Sequence, residues 1–204
     1  MTLRKTSCMA FALACLALVG CDDSGVGSDE EAQVAYLGMD RGIDRALKLG
    51  FQGFNAASSA NIPAQSEPGI VSGTMTVSGQ VDQGQSESNK GMRLFVDLDD
   101  YSDGLVYQEE EIEIHYFAAS TLHLDLKMSN LPDNGDLSGP GGNVAFYGSV
   151  SMEGDIEGDL FLNLYVEGKV SADANGIIQR EPGTTHIWGT AESPNGVYNV
   201  DVTR

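Results

Sequence analysis

His115 and His123 flank Ala118-Ala119-Ser120, in segments that alternate apolar and polar residues. If those three residues form a hairpin loop, the two imidazoles lie directly opposite each other, and Glu113 and Asp125 face each other two positions along. Two imidazoles and two carboxylates on one face are a donor set for Zn²⁺. A second donor set lies in Asp97-Leu98-Asp99-Asp100-Tyr101-Ser102-Asp103-Gly104. Counted from Asp99, Asp103 falls at position 5 of a calcium loop, Gly104 at position 6 and Glu110 at position 12. Tyr101 breaks position 3 and strands flank the segment, so it is not an EF-hand, although its carboxylates and carbonyls suit Ca²⁺. Each set also has a plain reading. The first is then a solvated polar strand face, the second an acidic Asp-Gly turn.

Other side chains with chemical potential are scattered. His186 lies two residues before Trp188, where a pocket role and a structural role are both open. Phe95, Tyr147, Phe161, Tyr165 and Trp188 occupy polar positions of their segments, as a surface for contact with a ligand, a glycan or a partner protein would. Catalysis has thin support. The chain lacks a Gly-x-Ser-x-Gly elbow, a His-Glu-x-x-His pair and a glycine-rich phosphate loop. With 30 carboxylates, chance acid pairs carry no information.

The first 21 residues carry a different chemistry. Arg4 and Lys5 precede an uncharged, mostly apolar run of 12 residues, Cys8 to Val19. A membrane-spanning helix needs roughly 20 residues, so the run fits a secretory signal peptide instead. It ends in Leu18-Val19-Gly20-Cys21. This tetrapeptide resembles the lipobox of bacterial lipoproteins. The resemblance implies cleavage between Gly20 and Cys21, and diacylglycerol thioether-linked to the Cys21 thiol as the new N-terminus. Several acyl chains hold a protein on a bilayer stably where one does not. The implied location is the cell envelope, facing the periplasm or exterior. Asp22 resembles the inner-membrane retention signal of enteric bacteria, and the choice between inner and outer membrane stays open.

Removing residues 1–20 leaves nine basic against 30 acidic residues, a net charge of −21. Such a surface repels nucleic acid and anionic lipid. Cys8 and Cys15 leave with the signal peptide and Cys21 is taken by lipid, so disulfides and cysteine catalysis are excluded. The fold must rest on packing or on bound ions.

The elements that would position these groups follow from periodicity. Residues 21–28 read as the lipidated cysteine and a flexible acidic tether. Ser28-Asp29-Glu30-Glu31 is a capping box that opens a helix over residues 29–55. Ala32, Tyr36, Met39, Ile43, Leu47, Gly50 and Phe54 form its apolar stripe. Residues 56–69 read as a Ser/Ala/Pro linker. From residue 70 to 204 the period is two, giving about eight antiparallel strands in a meander. Three hairpins are expected, around 118–120, 156–158 and Asn195-Gly196. In each, strand parity keeps one continuous apolar face. The fold class is therefore mainly β with one N-terminal helix, the meander forming a barrel or sandwich with the helix packed on it. Three function classes stay open: a non-catalytic binding or structural module, a carrier of a lipid or other apolar ligand in a barrel interior, and a Ca²⁺- or Zn²⁺-dependent module or enzyme.

Overall fold

The computed structural model describes residues 25–56, 59–82, 88–104, 113–116, 120–130 and 135–204. One α-helix, α1 (Asp29–Ala56), precedes eleven strands, with a 3-10 turn (Pro140–Gly142) between the sixth and seventh: β1 (Asn61–Pro68), β2 (Ser72–Val81), β3 (Lys90–Ser102), β4 (Ile114–Tyr116), β5 (Ser120–Ser129), β6 (Gly135–Ser138), β7 (Phe146–Gly154), β8 (Gly158–Ala172), β9 (Ile178–Arg180), β10 (His186–Ser193) and β11 (Gly196–Thr203). All pairings are antiparallel and all strands belong to one sheet.

The sheet is simpler than eleven strands suggest. Both β4 and β5 pair with β3 and with β7, so they lie end to end in one lane. Likewise β6 and β7 share the lane between β5 and β8. The other side of β8 is shared by β9 and β10. The result is an eight-lane meander with β1 and β11 at its edges. The sheet curls without closing on itself, and α1 packs against both edge strands.

The helix starts as its residues dictate. The Ser28 hydroxyl accepts from the Glu31 amide at 3.1 Å, and the Glu31 carboxylate accepts from the Gly27 amide at 2.7 Å, one residue beyond the usual capping-box partner. The Asp29 carboxylate reaches β11, accepting from the Asn199 amide at 2.7 Å. That backbone bond is the main reason its carboxyl lies below the usual range. Ala32, Tyr36, Met39, Ile43, Leu47 and Gly50 are buried as the stripe predicts, and Phe54 is half-buried.

The helix fills the concave side. Met75, Val77, Leu94, Val96, Leu124, Phe146, Leu162, Leu164 and Ile187 belong with the helix stripe to one buried core, each 2% exposed or less. Close approach is what the small residues of α1 permit. A Cβ on Gly50 would stand 2.7 Å from Leu94 Cδ1, and one on Gly53 2.6 Å from Ile62 Cγ2. Curvature comes from glycines within the strands. Gly148 (φ +147°) and Gly189 (φ +146°) adopt backbone that L side chains avoid, and a Cβ there would meet the neighbouring strand's carbonyl oxygen at 2.2 and 2.3 Å.

Three expectations are corrected. The linker over 56–69 contains β1, which pairs with β2 on either side of a register shift at Pro63-Ala64; as an edge strand it can spare the amides that Pro63 and Pro68 lack. The hairpin register expected around 118–120 does not form among the described residues: β4 and β5 each pair with β3 and β7 in one lane. The two remaining hairpins keep their faces but slip in register. At β10–β11 the expected partner of Gly189 is Val202, and the observed one is Val200. The two-residue loop is Pro194-Asn195, not Asn195-Gly196. Proline has no amide to close the hairpin ladder but suits the first loop position. At β7–β8 the slip is four residues: Val150 faces Leu160 and Phe146 faces Leu164.

Candidate functional site

The zinc donor set does not assemble, and the calcium set lies only partly within the described residues. His115 lies opposite Glu153 on β7 and bonds Glu113 at 3.1 Å. His123 lies between Phe95 and Tyr147, and Asp125 faces Arg93. The four groups therefore do not share a site, because the hairpin register that would join them does not form among the described residues. Of the calcium set, Asp103 is committed elsewhere. It pairs with Arg45, and accepts from Tyr101 Oη at 2.6 Å and the Ile70 amide at 3.1 Å. Arg45 also binds the Pro68 carbonyl at 2.6 Å and Glu67 at 3.4 Å, so Asp103 serves to fasten the helix to the sheet. Burial, then the Asp103 carboxylate, pushes the Tyr101 phenol up. Asp99 is exposed on β3 opposite Thr74, and Glu110 lies outside the described residues. Among the described residues, no three His, Cys, Asp or Glu side chains converge as a metal set.

On the other flank of α1 lies a cluster that sequence reasoning missed. Arg180 donates to Asp44 at 2.6 Å, to the Asp40 carboxylate at 2.9 Å and to the Asp40 carbonyl at 3.2 Å. Tyr36 Oη and Arg204 Nε complete the shell of Asp40, at 2.9 and 3.2 Å. Burial pushes the Asp40 carboxyl up. The charge and hydrogen bond of Arg180, with Tyr36 and Arg204, outweigh that and hold it below the usual range. Nε, Nη1 and Nη2 of Arg180 each donate to α1, and its side chain is buried, so the cluster anchors helix to sheet. Its signal in sequence is thin: Asp40 and Asp44 one turn apart, and a lone arginine after Ile177-Ile178-Gln179.

The aromatic residues do come together. On the convex face, direct cross-strand neighbours run Phe95–His123–Tyr147–Asn163–Thr190, from β3 to β10. Phe95 meets His123 edge to face at 5.0 Å, and His123 stacks on Tyr147 at 4.9 Å with planes 5° apart. Two positions along β8 and β10, Tyr165 faces Trp188 and stacks on it at 5.6 Å. Trp188 also stacks on His186 at 4.7 Å, and His186 bonds Asp201 at 2.9 Å. Phe161 lies two residues before Asn163 on the same face, opposite Ser149. Phe95 and Phe161 are 44% exposed and Tyr147 37%, so the patch is open to solvent. Rings that stack across adjacent strands stand upright, with faces turned to each other and edges to solvent.

The concave side offers no comparable room. The apolar space between α1 and the sheet, edged by Tyr101 and Tyr116, amounts to about 10 Å³, about one water. A carrier would need a larger interior than this space. No helix among them is long and apolar enough to cross a membrane. Cys21 and Gly20 lie outside the described residues. No protein-family model, curated protein or solved structure matches the chain.

Proposed function

We propose that the chain is a lipid-anchored protein of the bacterial cell envelope, fixed by Cys21. It acts as a non-catalytic binding module whose convex face docks a partner protein. The observation that carries this reading is the pair of upright ring clusters, Phe95–His123–Tyr147 and Tyr165–Trp188–His186, in the exposed face of one rigid sheet. Clustered aromatics with polar surroundings suit a protein interface. A glycan fits less well, because sugars stack on ring faces and the stacked faces of His123 with Tyr147 and of Trp188 with Tyr165 and His186 are turned to each other. The surrounding carboxylates, Asp97, Asp125, Glu167 and Asp201, match a partner bearing lysine or arginine.

A photoreactive phenylalanine analogue at Tyr147, in cells carrying the full chain, tests the surface. The expected result is a discrete protein adduct that is lost when Trp188→Ser is added. Adducts identical to those from exposed Gln179 on β9 would defeat it. For the anchor, acyl mass on the mature N-terminal peptide is expected in the native chain and absent in Cys21→Ser.

A further inference from the structure

The leash between anchor and domain is shorter than the sequence suggests. Residues 21–28 read as a free tether, yet the chain is already part of the fold at Gly25. Val26 is 1% exposed, and its carbonyl accepts from Ser193 Oγ at 2.6 Å. The Gly25 carbonyl accepts from Asn195 Nδ2 at 3.4 Å, and a Cβ on Gly25 would stand 4.0 Å from the Glu157 carbonyl. The chain therefore leaves the domain between two turns, Asp155–Glu157 joining β7 to β8 and Pro194-Asn195 joining β10 to β11. Only Asp22, Asp23 and Ser24 separate Gly25 from Cys21. Four peptide steps span at most about 14 Å.

We infer that this end of the domain is its bilayer-facing surface, with the two turns held at the lipid headgroups. The inference rests on lipidation of Cys21. Chain length alone holds the turns there. Asp155, Glu157, Glu192 and Asp29 make this end acidic, so charge does not draw it to anionic lipid. The helix begins at this end and carries Gln52 about 35 Å along its axis. The aromatic face, on the wall of the sheet, is then turned neither toward nor away from the membrane. It is open to a partner in the same membrane plane.

The experiment uses the intact lipidated protein in phosphatidylcholine vesicles. Cys21 is blocked by its thioether, so one introduced cysteine is the sole free thiol. Fluorophores at Glu157→Cys and Gln52→Cys, both exposed positions, are exposed to headgroup-nitroxide lipid. Quenching at Glu157→Cys is expected to be several-fold stronger than at Gln52→Cys. A 20-residue Gly-Ser insertion after Ser24 is expected to abolish the difference. Equal quenching at both sites would mean that the domain lies flat, and none at either that it stands off; each overturns the inference. Strong Glu157→Cys quenching that survives the insertion would also overturn it, since the leash would not be the cause. Failure of the lipidation reading looks different: a mature N-terminus without acyl mass, and protein not retained by the vesicles.

Discussion

The two faces of the sheet are built from the same strands, often from adjacent residues, and are used in opposite ways. Phe146 and Tyr147 are neighbours on β7. Phe146 is 1% exposed in the core, whereas Tyr147 is 37% exposed and stacked on His123. The concave face holds the fold together, through aliphatic burial in its centre and ion pairs along the helix flanks. The convex face carries its large rings where they add little to the fold. Large apolar groups kept in solvent by a sheet that already has a filled core point to recognition more than to stability.

The sharpest way to break this contrast is to truncate the two neighbours separately. Phe146→Ala is expected to cost about 3–5 kcal/mol, for lost burial plus an unfilled cavity. In a domain of this size, thermal unfolding should then fall by roughly 10 °C or more. Tyr147→Ala should lose only its ring stacking, about 0.5–1.5 kcal/mol, while losing the partner adduct formed by the photoreactive analogue placed at Phe95 instead. Equal melting-temperature losses would show that the convex rings are structural.

A comparable loss is expected at the helix flank. Asp40→Ala leaves Arg180 buried without its main partner, and removing one member of a buried pair costs about 3–5 kcal/mol. Adding Arg180→Met should restore much of that in urea unfolding, because the orphaned charge is gone. No recovery in the double variant would mean that the pair stabilises by more than mutual compensation. The pH dependence has a definite sign. Asp40 has a folded-state pKa below its unfolded value of about 3.9. Its contribution is present above about pH 4 and is lost as pH falls through the folded value. Circular dichroism at 222 nm should show the urea midpoint dropping in that acid range. Asp40→Asn should flatten the drop, and an unchanged slope would remove Asp40 from it.

Face is legible in a sequence where register is not. The parity of β7, β8, β10 and β11 assigned inside and outside correctly, because slips of two or four residues return every side chain to the same face. The zinc reading required more than parity. It needed β5 to turn back on β4, whereas the two strands share one lane between β3 and β7, a long-range arrangement that parity does not encode. The aromatic surface rested on parity alone, so its members stayed on one face, although their stacking with His123 and His186 came only from the register. The Asp40–Arg180 pair spans 140 residues of sequence, and no period links its partners.

The smallest effect tests how tightly the helix must sit. Glycine within a helix costs about 1 kcal/mol relative to alanine, so each glycine of α1 is retained for a steric reason or for none. Gly50 has a reason: its missing Cβ makes room for Leu94, at 2.7 Å. Gly42 has a weaker one. A Cβ there would stand 3.4 Å from Met75 Cε, the mobile end of an adaptable side chain. Gly42→Ala should therefore stabilise the fold by about 0.5–1 kcal/mol, seen as a melting temperature raised by a few degrees. Gly50→Ala should be neutral or worse, since helix propensity is offset by displacing Leu94. If Gly42→Ala destabilises, the space beside Tyr101 and Tyr116 is needed empty, and the concave face has a use beyond holding the fold.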